Sequence, residues 1–314
     1  MDAVIVWSDT VGKEYRSKRL EYFNDLPRDG HALRGGRGKE ELFFCIASIV
    51  RNADFVDRII LVTEEDRGHG LDFIRKNFPM WKGELRVVPH VELFCGLEGF
   101  LPCFSPIAVR TLLYRVGGLS EDFLLVNPGC IPLKKLDLGA AGGAGTKPVI
   151  FGTWERAGRL MRKGTRSFFI GQEELYQGHR RFSGNAVGRA PGERRGRFCF
   201  LPSPHPVLLS RKILTDCLES SSGLMKENLQ RRFNSPEQRD ITAEAANSGR
   251  MECRSDLPAT SFVVPADNRE FGRMLRGMGD SAFICGPPLS HFREEQSAAV
   301  RDCLRALLRI EAWN

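Results

Sequence analysis

The chain has 314 residues, 42% hydrophobic and 27% charged, a size and balance that allow a real core and exclude wholesale disorder. The formal net charge is +7, so anionic partners are favoured. No apolar run reaches the roughly 18 to 20 residues of a membrane span.

Met1 to Trp7 is too short for a signal peptide and lacks its basic flank; it reads as a first strand, Ala3 to Trp7, which predicts a cytoplasmic protein. This strand ends in the polar Ser8-Asp9-Thr10. An Arg- and Gly-rich loop, Leu33 to Gly38, follows, and Glu41 to Asn52 then carries Leu42, Ile46, Ile49 and Val50 at helical spacing. Arg58 to Thr63 is a second strand and Leu85 to Val88 a third. Ser105-Pro106 opens a helix, with Ser as N-cap, Pro at the first helical position, and Val109, Leu112, Leu113 and Val116 as its apolar face. Gly117-Gly118 stops it. Phe123 to Val126 is a near-continuous apolar strand of the kind buried on both faces, and Pro148 to Phe151 reads as another. The last third reads as helical over Val207 to Leu218, Gly223 to Phe233 and Arg293 to Leu308. In the last of these, Val300, Cys303, Leu304, Leu307 and Leu308 share a face.

Strands alternating with helices predict an α/β fold with a mostly parallel sheet and a helical C-terminal part. In such sheets ligands bind beyond the carboxyl ends of the strands, where Ser8-Asp9-Thr10, Thr63-Glu64-Glu65 and Asn127-Pro128-Gly129 fall. The expected division is an α/β part over 1–137, a Gly/Arg-rich insertion over 138–200, and a helical part over 201–314 that completes the same domain. Gly139 to Gly145 reads as a flexible connector.

The nine cysteines are odd in number, scattered, and never spaced as Cys-x-x-Cys, which argues against a zinc site and a disulfide framework. Those in apolar company, such as Cys45 and Cys285, read as small buried hydrophobes. Between Glu155 and Arg197 the chain concentrates Arg156, Arg159, Arg162, Lys163, Arg166, Arg180, Arg181, Arg189, Arg194, Arg195 and Arg197. Such a tract suits a nucleotide diphosphate, an anionic glycan or an acidic membrane surface, and equally a solvated loop. No nucleic-acid-binding module is recognisable, so nucleic acid is not an expected partner.

Taken together, the blocks Asp2 to Thr10, Glu41 to Thr63, Leu101 to Asn127, Pro204-His205-Pro206 with Arg211-Lys212, and Phe283-Ile284-Cys285 resemble, in order, those of the Stealth proteins. These are bacterial capsular polysaccharide phosphotransferases, related to the animal N-acetylglucosamine-1-phosphotransferase. The run from Leu101 to Asn127 carries most of the likeness. The resemblance implies a sheet of the nucleotide-sugar transferase (GT-A-like) type. It also implies transfer of a sugar 1-phosphate from a UDP-sugar donor to a hydroxyl of a glycan acceptor in capsular or surface polysaccharide synthesis, with peripheral contact at an inner membrane surface as a further option.

The polar blocks depart from that pattern. Pro128-Gly129 stands where the family has Asp-Asp, and Gly286-Pro287 or Pro287-Pro288 where it has Asn-Asp. Arg110 and Leu112 replace an acid and a His, Asn234 replaces an Arg, and of an Arg-Asp-Asn set only Arg37 survives. The sequence therefore favours an enzyme while keeping a catalytically impaired relative that binds nucleotide sugar or glycan and assists a partner as the alternative, and a basic polyanion binder as a third. No cofactor is required by the residues, and magnesium is left open.

The candidate catalytic residues are His205 as base, Arg115 toward a diphosphate, and Asn127. The nucleotide-binding candidates are Trp7, Ser8, Asp9 and Arg37, and no metal ligand is assigned. Bland alternatives stand beside several of them: Trp7 as core, Asp9 as a turn former, and Arg115 as a helix-terminal cation. His90 reads as structural. Glu64 and Glu65 are weaker candidates to stand in for a lost metal ligand.

Overall fold

A computed structural model describes residues 1–8, 13–22, 38–64, 71–137, 147–156, 198–234 and 238–311. The loop at 33–37, the connector at 139–145 and the basic tract over 157–197 lie outside the described residues.

The central sheet joins β1 (Asp2–Val6), β2 (Arg58–Thr63), β3 (Glu84–Pro89), β4 (Asp122–Val126) and β8 (Val207–Ser210) in the order β3-β2-β1-β4-β8. β1 pairs in parallel with both β2 and β4, and β2 in parallel with β3; β8 alone runs antiparallel, on β4. The four parallel strands therefore end at one edge, and the predicted neighbourhood of the first strand and Phe123 to Val126 is a direct pairing, Val4 opposite Leu125.

Period-two alternation divides the apolar residues between two layers. Ala3, Ile5, Ile59, Leu61, Leu124 and Val126 face α2 (Lys39–Asn52) and the C-terminal helix Glu294–Leu308. Val4, Ile60, Val62, Phe123 and Leu125 pack with α5 (Pro106–Thr111) and with the helices Arg211–Ser220 and Ile241–Asn247 on the other side. Ser105 caps α5 as expected, accepting from the Ala108 amide at 3.3 Å.

Four helix readings of the sequence are corrected. The helix opened by Ser105-Pro106 ends at Thr111, with Leu113–Arg115 a separate 3-10 turn and Val116 beyond it. Val207 to Leu218 is not one helix: Val207–Ser210 is a strand with all four residues buried, and Ser210 caps the helix that follows, its hydroxyl accepting from Ile213 at 3.0 Å. An unbroken apolar run satisfies both periodicities, and the vacant edge of β4 decides for the strand. The helix within Gly223 to Phe233 shortens to Leu224–Leu229. In the last helix Val300, Leu304 and Leu308 are buried, but Leu307 is 36% exposed and Cys303 half-buried, so the packed face is narrower than read.

Beyond β4 the chain turns through Asn127–Gly129 into β5 (Cys130–Pro132). This strand pairs antiparallel with β11 (Phe283–Cys285), which pairs in parallel with β10 (Thr260–Phe262). A further sheet brings β6 (Val149–Arg156) between β7 (Phe198–Pro202) and β9 (Glu252–Arg254). Cys130 and Cys285 face each other in register and are joined as a disulfide across 155 residues, which overturns the reading of Cys285 as a free buried hydrophobe. Among the described residues no helix is long and apolar enough to cross a membrane.

One ion pair pins the amino end of the sheet. Asp2, 3% exposed, accepts from Arg58 Nε at 2.9 Å and Nη2 at 2.7 Å, and from the Ser120 amide at 2.7 Å. Burial pushes its carboxyl up, but the bonds from Arg58 and Ser120 outweigh this and hold it below the usual range. Asp2→Ala is expected to cost about 1.5 to 3 kcal/mol by urea denaturation, because it removes charge-assisted bonds at a buried position.

Candidate functional site

The site is the edge where β1, β2, β3 and β4 end, at Ser8, Glu64, His90 and Asn127. A helix unforeseen in the sequence, α1 (Lys13–Glu21), follows β1 closely and joins this edge. Its Tyr15 hydrogen-bonds Ser8, and Glu64 acts electrostatically on both Tyr15 and Arg19. Burial drives the Tyr15 phenol well above its ordinary value, with the Glu64 charge adding to it, so the group stays protonated. Burial lowers the pKa of Arg19, which is only 7% exposed.

Arg19 lies 5.4 Å from the Tyr15 ring centroid and 5.6 Å from that of Phe233. Phe104 stacks on Phe233 at 5.0 Å and meets Tyr15 edge-on at 5.5 Å, while Arg232 lies 4.9 Å from the Tyr22 ring. Two arginines thus sit against aromatic rings, Arg19 under the influence of the Glu64 carboxylate and Arg232 donating to the Pro102 carbonyl at 3.1 Å, a group suited to an anionic ligand that also carries a flat ring.

The sequence candidates are dispersed. Ser8 belongs to this edge. Trp7 is 3% exposed, with its side chain in the core against the α2 layer, and offers no open face for stacking in this conformation. Asn127 ends β4, and its Oδ1 accepts from the Gly129 amide at 3.0 Å, closing a local turn. Arg115 donates to the Cys95 carbonyl, on the loop after α4 (His90–Leu93), and not to any residue at the ends of β1 or β4. Asp9 and Arg37 lie outside the described residues.

His205 precedes β8, 3% exposed. Its Nδ1 is 2.7 Å from Ser203 Oγ and its Nε2 2.9 Å from Thr260 Oγ1, with the Phe283 ring edge-on at 4.8 Å. Burial alone lowers its pKa to about 4. Neutral near pH 7, it has the protonation state of a base, but its surroundings are the disulfide and β10, not the α1 cluster. His90 is also buried. Desolvation first, and then the Lys18 charge, lower its pKa to about 4, and its Nε2 has no partner among the described residues.

The two loops that lack carboxylates are brought together. The Gly286 amide donates to the Gly129 carbonyl at 3.1 Å, next to the disulfide, and a Cβ on Gly286 would sit 2.7 Å from the Val263 carbonyl oxygen. Neither loop offers an acidic oxygen, so these residues do not fit a hard divalent cation, which seeks several oxygen ligands. An open groove lined by Ile74, Phe78, Trp81 and Leu85 lies by the start of β3, at the opposite end of that strand from His90. It has the wrong position for the α1 cluster.

Sequence reasoning missed Tyr15, Arg19, Phe104, Arg232 and Phe233. The one available signal was the position of Lys13–Glu21 directly after the first strand, a segment to which the sequence reading assigns no element.

Comparison with known proteins now adds to this geometry. No family model matches the chain. Over 40% of its length it is 31% and 28% identical to two exopolysaccharide phosphotransferases of Streptomyces coelicolor, each covered to 20%. It is 25% identical over 134 residues to the receptor polysaccharide phosphotransferase WefC of Streptococcus gordonii, covered to 36%. The chain thus spans a fifth to about a third of the length of these curated relatives. Among solved structures, the galactosyltransferase LgtC with donor and acceptor sugar analogs matches over 100% of this chain and 98% of its own, with a TM-score of 0.51 at 11% identity. The bifunctional glycosyltransferase WbbM matches over 100% of this chain and 50% of its own, with a TM-score of 0.52 at 11% identity. The fold is that of the GT-A glycosyltransferases, and the likeness in sequence, over 40% of the chain, is to the polysaccharide phosphotransferases of the Stealth type.

Proposed function

We propose that the protein transfers a sugar 1-phosphate from a UDP-sugar to a hydroxyl of an acceptor glycan in the synthesis of a capsular or surface polysaccharide. The observation that carries this reading is the likeness to polysaccharide phosphotransferases in a chain whose parallel strands end together beside Arg19 and Arg232. In the reaction the acceptor oxygen bonds to phosphorus, the phosphoanhydride bond to UMP breaks, and the acceptor proton passes to a base. Cations must neutralise the phosphate oxygens while the reacting atoms are held in line. Arg19 and Arg232 supply that charge, and the half-buried Tyr22 ring, backed by the buried Phe104 and Phe233, offers a face for the base or sugar. Ser8, with Asp9 and Arg37, completes the nucleotide side, and Asn127 shapes the turn beyond β4. In this reading 1–137 forms the donor part, 138–200 a Gly/Arg-rich basic insertion, and 201–314 completes the same domain.

Arg19→Gln is expected to weaken UDP-sugar affinity by roughly ten- to a hundredfold in calorimetry, the loss of one charge-assisted contact of about 1.5 to 3 kcal/mol. An unchanged affinity in a variant that keeps its wild-type melting temperature would remove α1 from the site. Because neither loop fits a hard cation, UMP release is expected to change less than about twofold on adding a chelator. Full loss with chelator, restored by magnesium, would mean that acids such as Glu64 or Asp9 hold an ion.

A second reading has its own support. The contact between Gly286 and Gly129, beside a disulfide, ties together the two loops where the family places acids, which favours a relative that binds the donor without turning it over. Saturable UDP-sugar binding with no UMP release on any glycan acceptor would establish this reading over the first.

A further inference from the structure

Three metal-ligating side chains converge away from the α1 cluster. Cys130 opens β5 and Cys285 closes β11, facing each other with Cα atoms 4.2 Å apart, and His205 comes from the turn before β8. Their ligand atoms all lie within 4.8 Å of one another, and the residues are 0%, 1% and 3% exposed. A plain crosslink has no use for a buried imidazole beside it, held at both ring nitrogens.

We propose that, when the disulfide is reduced, Cys130, Cys285 and His205 bind one thiophilic divalent ion of the zinc type. Two thiolates and an imidazole form a soft donor set that selects such an ion over magnesium or calcium. A tetrahedral ion with bonds of about 2.3 Å to sulfur and about 2.0 Å to nitrogen needs donors roughly 3.4 to 3.8 Å apart. Breaking the S–S bond lets the sulfurs separate to that spacing by side-chain rotation, with the strands in place.

The surroundings orient the imidazole. Ser203 Oγ donates to the Phe151 carbonyl at 3.0 Å, and Thr260 Oγ1 to the Pro258 carbonyl at 2.7 Å. With its proton committed to a carbonyl, either hydroxyl can accept from the imidazole N–H. One ring nitrogen then carries the proton, and the other exchanges its hydroxyl contact for the ion. The Phe151 and Phe283 rings pack edge-on against His205 and fix the plane of the imidazole. A water or Thr260 Oγ1 takes the fourth position.

The chemistry balances. A small-molecule thiol or phosphine reductant supplies two electrons, and with two protons the disulfide becomes two thiols. Metal binding releases both protons, and reoxidation by a small-molecule disulfide, which takes up the two electrons and leaves as two thiols, expels the ion.

The test uses the full chain, reduced with a phosphine under anaerobic conditions, desalted, and titrated with Co²⁺ as a spectroscopic stand-in for zinc. One equivalent should bind with thiolate-to-cobalt absorption, and Zn²⁺ should displace it. The untreated disulfide form should bind none. Cys130→Ser and Cys285→Ser should each abolish the absorption, and His205→Gln should weaken binding at least about tenfold. The proposal is overturned if reduced wild-type protein takes up no cobalt, if the signal survives in both serine variants, or if the disulfide resists reduction until the protein unfolds. Wild-type protein in its two redox states carries the test even where a variant misfolds, and no readout depends on transferase activity.

Discussion

Unfolding free energy should fall by several kcal/mol between about pH 6.5 and pH 4, a loss set mainly by two buried histidines. His90 and His205 are each lowered from 6.5 to about 4, His90 by desolvation and then Lys18, His205 by desolvation. Above pH 6.5 both are neutral in the folded and unfolded chain, and neither makes stability depend on pH. Within the window the unfolded chain binds protons that the folded chain refuses, so stability decreases as pH falls and levels off below the folded values. Each histidine contributes up to about 3 kcal/mol, from a shift of about two and a half units at 1.36 kcal/mol per unit. Urea denaturation at pH 7, 6, 5 and 4.5 reads the effect, and His90→Phe should remove about half of the slope. A flat profile between pH 6.5 and 4.5 would show that the imidazoles reach water, contrary to their burial.

Phe123→Ala should cost about 3 to 5 kcal/mol, enough to unfold a marginally stable domain at room temperature. Phe123 is 0% exposed, opposite Asp2 on β1 and Leu209 on β8, in the layer shared with α5. Removing the ring leaves a cavity on the face of β4, a strand paired on both edges, so the site collapses poorly. Phe123→Leu, which keeps most of the volume, should cost about half as much. Equal costs for the two variants would mean that cavity volume does not govern this position.

Much of the central sheet was legible in the sequence, for a local reason. Ala3 to Val6, Arg58 to Thr63 and Phe123 to Val126 are short apolar runs bounded by polar turns, and burial on both faces demands that composition wherever the strands lie. The cap at Ser105 was equally legible, because Ser followed by Pro satisfies and removes orphan amides within one turn. The helix over Val207 to Leu218 failed where local pattern is ambiguous: four apolar residues in a row suit a strand or a buried helix, and pairing with β4 settled the choice. The α1 cluster failed for a different reason. Lys13–Glu21 carries too few apolar residues for a periodic pattern to announce it, and only the folded chain shows Arg19 buried near Tyr15 and Phe233.

By itself, the sequence determined the parallel α/β core, the absence of acids at Pro128-Gly129 and Gly286 to Pro288, and the likeness to polysaccharide phosphotransferases. All of these depend on residue identity and short-range order. Only the tertiary structure decided that Cys130, His205 and Cys285 meet, that the two acid-free loops are tied together, and that Arg19 joins the edge where the strands end. Such contacts join residues up to 155 positions apart. Their pairing is set by the order in which strands enter a sheet, and no periodicity along the chain records that order.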